Sequence, residues 1–556
     1  MNVLGLNAIF HDSSAAVVRD GHILAAAEEE RFSRRKHAKI CVPFSAWELP
    51  VLAARWVLEQ AELTAAEIDA VAYSYDPALA QVDESDVIRD DWEGLRTLYA
   101  RRFPYFLRSE FPDITGADIA FVQHHVAHAA SAYLAAPFDR SAVMVLDGRG
   151  ERASALFGIA EDGNLSVHGM QNLPHSLGLL YEELTVHLGF MRSSDEYKVM
   201  GLAAHGKPAF LQEFRRLIRV NPPHFSIEPV NFALFAPPRS PADEHFDQRH
   251  ADLACSVQAR LEEVLLELAR WLKSKTNARY LVMAGGVALN CVANARLAEA
   301  GIFDQIWVQP AAGDAGTALG AALYTAHRRG DHIKPMTTAA LGREWTDDAL
   351  AGWLKRSAVP FERSNDVARD AARAIADDGI VAWFQGRSEF GPRALGHRSL
   401  LANPRFARNL ERLNDVKGRE QFRPVAPMVL EERAPDMFEG QLPSPYMLFT
   451  HRVKPEWRER IAAAVHVDGT ARIQTVNRTD EPLVARMLDE VERMTGVPVV
   501  INTSLNTAGR PMVDDPRDAL ECFGSAPIDL LVLGPYVVRR ADVHARPADS
   551  QALAAS

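Results

Sequence analysis

The first thirty residues alternate apolar runs with polar breaks: NVLGLN, the polar stretch AIFHDSS, AAVVR, the pair Asp20-Gly21, then HILAAAEE. Short apolar runs bounded by turn residues predict strands, and Asp-Gly between two of them predicts a tight hairpin. The same pattern returns over residues 142–169, AVMVLDGRGERASALFGIAEDGNLSVHG, where an apolar strand ends in Asp147-Gly148 and a second hairpin turns at EDGN. Finding one unit twice predicts a duplicated domain built from two related halves. Helical periodicity marks PVLAARWVLEQAEL, the stretch HVAHAASAYLAAPF, and the long amphipathic CSVQARLEEVLLELARWLKSKT, which runs into the strand RYLVMAG. Strands alternating with helices give an α/β class.

The pattern changes over residues 330–365, which read as a connector and a peripheral helix. A second α/β region follows, opening with the helix DVARDAARAIADDG and the strand IVAWFQG. Two domains are therefore expected, at 1–345 and 360–542, with 543–556 a frayed tail.

A chain of 556 residues, 47% hydrophobic and 24% charged, has the composition of a globular enzyme. Its net charge of -12 disfavours a broad grip on nucleic acid. Four cysteines without a CxxC pair fit a reducing cytoplasm. The first residues lack a basic segment followed by an apolar run, so no signal peptide is expected. No stretch nears about 18 uninterrupted apolar residues, so no membrane span is expected either.

Candidate chemistry sits on this frame. His124 and His128 lie four apart in FVQHHVAHAASAY, on one helical face, and two stacked imidazoles make half of a divalent-metal site. Spacing alone also fits a plain histidine-rich helix start. Asp147 ends an apolar strand and Asp314 lies in the turn QPAAGDAGTALG before a helix, which suits a metal ligand and a routine N-cap equally. Two imidazoles with two carboxylates would suit iron, zinc or manganese. Gly285, Gly286 and Asn290 in MAGGVALN, and Lys198, Gly201 and His205 in YKVMGLAAHGKP, read as loops that let backbone approach a nucleotide. His11 and Asp12 follow the first strand, where a neutral histidine can act as general base or serve structure. In the second domain, Arg387, Arg393, Arg398, Arg405, Lys417, Arg419, Arg423, Arg472 and Arg510 recur in Gly/Pro-shaped loops, with Asn502, Thr503, Ser504 and Asn506 after an apolar strand. Guanidinium groups and small polar residues after strands predict a site for several phosphates.

The strings SEFGPRALGHRSLL, REQFRPVAPMV, VLGLNAIFHDSSAA, AAAEEERFSRRKH and INTSLNTAGRPMV resemble the O-carbamoyltransferases of natural-product biosynthesis, the family of the tobramycin, nodulation-factor and cephem carbamoyltransferases. The resemblance covers nearly the whole chain. It implies a duplicated actin-hexokinase-like first domain, similar to tRNA threonylcarbamoyl-transfer proteins, and a YrdC-like second domain. It implies that the second domain makes carbamoyladenylate from carbamoyl phosphate and ATP, with Mg2+, and that the first passes the carbamoyl group to a hydroxyl of a small-molecule acceptor. Carried over by position, His124, His128, Asp147 and Asp314 match the family's metal site, with iron the implied ion. His11 matches its base. Lys198, Gly201, Gly285, Gly286 and Asn290 fall on the carbamoyladenylate side. Arg393, Lys417, Arg423, Arg472, Asn502 and Ser504 match positions for carbamoyl phosphate and ATP. Residues 205–255 match nothing usable and, with residues 75–115, are expected to shape the acceptor pocket. Two other readings compete: a tRNA threonylcarbamoyl-type modification enzyme, disfavoured by the acidic balance, and a non-catalytic nucleotide-binding sensor on the same scaffold.

Overall fold

The computed structural model describes residues 1–38, 48–80, 93–241, 243, 245–507 and 509–543. The chain divides into two compact units, Met1–Thr337 with Phe390–Pro392, and Thr338–Glu389 with the residues from Arg393 onward.

Unit 1 opens with the antiparallel meander β1 (Asn2–Asn7), β2 (Ser14–Arg19) and β3 (His22–Glu28). Then β4 (Ala70–Tyr73) adds parallel to β1, and β5 (Asp118–Phe121) adds parallel to β4. The second half repeats this plan. Strands β6 (Arg140–Leu146), β7 (Ala153–Glu161) and β8 (Asn164–Asn172) form the meander. After a small hairpin, β9 (Ile218–Asn221) and β10 (His224–Ile227), come β11 (Tyr280–Ala284) parallel to β6 and β12 (Gln305–Val308) parallel to β11. The spatial orders, β3-β2-β1-β4-β5 and β8-β7-β6-β11-β12, are the same. Even the turns agree: Asp20 and Gly21 have φ of 50° and 78°, Asp162 and Gly163 have 49° and 78°. Two successive left-handed residues match the twist of a hairpin. The duplication expected from the apolar pattern is therefore present in the backbone.

Small residues set the packing between the halves. Helix Ala315–Arg328 lies across β1, where a Cβ at Gly5 would overlap the Ala318 carbonyl oxygen. On its other side runs helix His124–Tyr133, and a Cβ at Gly320 would overlap the Ala127 carbonyl oxygen. Alanines 127, 130, 318, 321 and 322 line this region, all fully buried. No larger side chain would let the helix backbones approach so closely.

Unit 2 is built on an eight-stranded mixed sheet. Its spatial order runs 362–363, 536–539, 530–533, 381–384, 398–402, 499–504, 426–430 and 474–476. Alternation along Val381–Phe384 explains its two cores. Val381 and Trp383 face helices Val367–Ala376 and Pro482–Thr495, while Ala382 and Phe384 face helices Asp347–Ser357 and Pro516–Ser525. The frayed tail expected at 543–556 falls, beyond Val543, outside the described residues, as does 81–92 of the expected acceptor segment. No helix among the described residues is long and apolar enough to cross a membrane.

The helix contact at Gly320 yields a direct expectation. Gly320→Ala should lower stability by about 1–3 kcal/mol through overpacking. Gly524→Ala, where the added methyl meets open space, should be neutral or slightly stabilising. Chemical denaturation of the two variants, followed by hydrogen exchange to separate the units, checks both.

Candidate active site

Helix His124–Tyr133 begins directly after β5, and its start is held by a buried carboxylate. The backbone N–H groups of His124 and Asp76 both donate to Glu151 Oε1, at 2.8 Å each. His124 and His128 stack along the helix with ring centres 4.6 Å apart, and both are completely buried. His124 Nδ1 lies 3.2 Å from the Ser74 carbonyl oxygen, so Nδ1 is committed as a donor and Nε2 is the atom that faces the site.

His124 Nε2 faces two carboxylates from elsewhere in the chain. Asp147 follows β6 and has Oδ2 3.5 Å from His124 Nε2 and 3.7 Å from His128 Nε2. Asp314 precedes helix Ala315–Arg328 and has Oδ1 at 3.6 and 3.3 Å from the same atoms. Asp147 Oδ1 is fixed by the Gly286 N–H at 2.7 Å. Asp314 makes no capping hydrogen bond with its side chain, so the N-cap reading of this residue is not what the structure adopts.

These separations exceed an N–H···O hydrogen bond, and Nε2 of each histidine is buried without a hydrogen-bond partner. Four ligands about 2.1 Å from one ion stand about 3.4 Å from each other in a tetrahedron, so the cluster fits a divalent metal. Burial opposes charge on His124, His128 and Asp147. Against it, Asp147 and Asp314 hold His124 well above and His128 above the ordinary histidine range, and the two imidazoles hold Asp147 well below the carboxylate range. His125 stands apart: it is buried, a Cβ at Gly150 would lie 2.5 Å from its Nδ1, and burial pushes its pKa down to about 3.

The second cluster has a different metric. His11 Nδ1 is 2.8 Å from Asp12 Oδ2, Asp12 Oδ1 is 2.8 Å from His37 Nδ1, and His37 Nε2 is 2.7 Å from Ser194 Oγ. These are hydrogen-bond lengths, so the His11 cluster is a bonded chain. His37, Ser194, Ser74 and Glu151 carry no spacing signal that ties them to these sites; they join through tertiary contact alone.

The loop residues of unit 1 divide. Gly285 has φ of 92° and a Cβ there would overlap the Leu146 carbonyl oxygen, while Gly286 supports Asp147, so this glycine pair holds the strand ends close. Asn290 caps helix Cys291–Glu299 through Ala293 N–H at 3.0 Å and exchanges hydrogen bonds with Gln258. The stretch YKVMGLAAHGKP was expected to be a loop; instead Glu196–Ala203 is a helix holding Lys198 and Gly201, with His205 just past it. The spacing of Val199, Leu202 and Ala203 buries one helical face and outweighs the single glycine. Lys198 pairs with Asp195 at 3.1 Å and lies over the Phe190 ring.

In unit 2, Lys417 is buried and donates to Ser504 O at 2.6 Å, to Ser504 Oγ at 2.9 Å and to Asn506 Oδ1. Asn502, two residues earlier on the same strand, donates to Gln474 Oε1 at 2.7 Å and to Ala394 O at 3.1 Å. Those bonds bring the neighbours of Arg472 and Arg393 to this strand. Ala426, three residues after Arg423, pairs with Asn502 in the sheet. Arg423 itself lies 3.7 Å from Glu420. Not every basic residue converges here. Arg398 was expected among the phosphate ligands, yet it is fully buried, donates to the carbonyls of Gln385, Gly386, His397 and Arg343, and lies over the Phe384 ring. Arg387 likewise donates to Leu341 and Gly342 carbonyls, and Arg405 to that of Thr495. Buried carbonyls without strand partners need donors, and a guanidinium supplies several at once.

Residues 2–323 match the family model described as carbamoyltransferase N-terminus, and residues 372–540 match that described as carbamoyltransferase C-terminus. The chain belongs to the carbamoyltransferase family. This carbamoyltransferase is 37% identical to the nodulation protein NolNO of Sinorhizobium fredii, over 99% of this chain and 82% of that protein. It is 39% identical to the nodulation protein U of Rhizobium tropici over 50% of this chain and 47% of that one. An uncharacterized protein of Synechocystis sp. is 36% identical over 97% of each. Among solved structures, HypF of T. kodakarensis aligns over 60% of this chain and 49% of that one, at 12% identity and a TM-score of 0.34, too low to bear on the argument.

Near Arg472, His466 has a buried Nε2 without a hydrogen-bond partner, while its Nδ1 lies 3.1 Å from Thr470 Oγ1. Burial, joined by the charge of Arg472 and opposed by Asp468, pushes its pKa down to about 4. The folded enzyme thus binds this proton more weakly than the unfolded chain, where histidine titrates near 6.5. Its contribution to stability is present above pH 6.5 and is lost as pH falls towards 4. His466→Gln should therefore flatten the loss of stability between pH 6.5 and 4, read as hydrogen-exchange protection of the unit 2 strands at several pH values.

Proposed function

We propose that this carbamoyltransferase works in two steps, carbamoyladenylate being formed in unit 2 and the carbamoyl group being moved to an acceptor hydroxyl in unit 1. The observation that carries the reading is the four-residue cluster of His124, His128, Asp147 and Asp314: ligand-type side chains from three separate segments, two of them imidazoles whose Nε2 atoms are buried without a hydrogen-bond partner. Such an arrangement is costly unless something positively charged is held there.

In unit 2, Lys417 contributes a buried ammonium beside Ser504 and Asn506, and Arg393, Arg423 and Arg472 lie within three residues of Ala394, Ala426 and Gln474, which bond or pair with Asn502. Cations of this density suit carbamoyl phosphate and the ATP phosphates, with Mg2+ arriving on ATP. Water cleaves carbamoyl phosphate to carbamate and phosphate, and a carbamate oxygen then bonds to the α-phosphorus of ATP as pyrophosphate leaves, giving carbamoyladenylate. In unit 1, His124, His128, Asp147 and Asp314 would hold a divalent ion, iron being the ion suggested by family resemblance. A bound ion of this kind supplies Lewis-acid polarisation of a carbonyl. Asp12 orients His11 so that the proton leaving the acceptor hydroxyl is taken at Nε2. The acceptor oxygen then bonds to the carbamoyl carbon as the bond to AMP breaks. The acceptor is a small hydroxylated molecule, in keeping with the similarity to nodulation proteins.

Incubation with ATP, Mg2+ and carbamoyl phosphate should yield pyrophosphate and carbamoyladenylate, detected by mass spectrometry. Lys417→Ala or Arg423→Ala should abolish that step and spare transfer from supplied carbamoyladenylate. His128→Ala should do the opposite and lower bound divalent metal, measured by elemental analysis, at least tenfold. Pyrophosphate release that instead required threonine and bicarbonate would replace this reading with a tRNA-modification one. Equal loss of both half-reactions in every variant would refute the division of labour.

A further inference from the structure

The His11 cluster carries more than one base. Asp12 stands between two imidazoles and accepts from Nδ1 of each, at 2.8 Å. A carboxylate in this position commits both rings to the Nδ1–H tautomer, leaving Nε2 of each as the atom able to take a proton. For His37, Nε2 accepts from the Ser194 hydroxyl at 2.7 Å. The rings of His11 and His37 lie 4.3 Å apart. Glu30 Oε2 accepts the His37 backbone N–H at 2.7 Å and so fixes the segment that presents the ring.

The backbone around this chain is strained. Asp12 and His37 within the chain, and Phe10 and Ser193 each one residue from a member of it, have φ of 46°, 59°, 59° and 54°, a left-handed region that costs a non-glycine residue. Such residues drawn from three separate segments to one hydrogen-bonded chain mark a geometry held against its backbone preference. Burial works against the Asp12 carboxylate, yet His11 and His37 together hold it well below the usual carboxylate range. The anion that orients His11 therefore depends on the second imidazole as well as the first.

We propose that His37 is a positioning residue for His11, acting through Asp12, and that Ser194 anchors His37 in the tautomer this requires. The proposal rests on the reading of His11 as the base that takes the acceptor's proton. His37 touches no reacting atom. It supplies the second donor that stops Asp12 from rotating and so keeps Asp12 aimed at His11 Nδ1.

The test uses the full chain labelled with [15N]histidine and long-range 1H–15N spectra, which distinguish the two neutral tautomers. His11 and His37 should both carry the proton on Nδ1, although the free side chain favours Nε2. His37→Asn keeps a donor where Nδ1 was, and should leave His11 in the Nδ1–H form. His37→Leu removes it and should release His11 to a mixture. With carbamoyladenylate allowed to accumulate and no acceptor present, water takes the acceptor's place at the carbamoyl carbon, and this hydrolysis to AMP and carbamate should fall about 10- to 100-fold in His37→Leu, the range typical of a lost supporting partner. The same rate should stay within about threefold of wild type in His37→Asn. Thermal melting of both variants identifies any that fail to fold. The proposal is overturned if wild-type His11 carries its proton on Nε2, or if the Asn and Leu variants behave alike in tautomer and rate. A wild-type enzyme that makes no carbamoyladenylate strikes at the two-step reading; the tautomers decide the role of His37 regardless.

Discussion

Much of unit 1 depends on one helix, Ala315–Arg328, being able to lie against backbone on two sides. Gly5 admits it to β1 and its own Gly320 admits it to helix His124–Tyr133. Close approach of this kind is van der Waals packing with the side chains removed from the contact, so it is stiff and tolerates no added volume. It also sets the distance that matters for chemistry. Asp314 sits at the first turn of one helix, His124 and His128 at the start of the other, and their 3.3–3.6 Å separations follow from how near the helices come. The metal-type cluster is in this sense a consequence of alanine and glycine.

Around that contact the buried polar groups are supported unevenly. Glu151 accepts from two backbone N–H groups, Ser74 offers its carbonyl to His124 and Gly286 its N–H to Asp147, so the ligand atoms are aimed from behind. The supporting atoms, Glu151 Oε1, the Ser74 carbonyl and the Gly286 N–H, have partners, while Nε2 of His124 and of His128 have none. The contrast within a few ångströms, between groups that have partners and groups that lack them, separates scaffold from site.

Local order was readable from the chain. Asp20-Gly21 and Asp162-Gly163 announced their hairpins because two-residue turns demand left-handed backbone, and the repeat they share marked the duplication. The i, i+4 histidines marked the helix face that meets Asp147 and Asp314. What escaped was decided by tertiary contact. A run of arginines looks alike in sequence whether it meets phosphate or, as with Arg398 and Arg387, unpaired carbonyls. Nothing near His37 in sequence indicates Asp12, and nothing near Ser194 indicates His37. The glycine in YKVMGLAAHG suggested a loop, yet burial of Val199 and Leu202 made a helix.

The repeated halves of unit 1 place their chemistry at matching addresses. The link from first to second strand holds His11 and Asp12 in one half and Asp147 to Glu151 in the other. The helix after the fifth strand begins with His124 in one half and is preceded by Asp314 in the other. The imidazoles stand on one half's helix and a carboxylate before the other's, and the strand links differ likewise, His11 and Asp12 against Asp147. One fold used twice thus presents unlike donors at like positions, and the asymmetry of the cluster is a difference between its two halves.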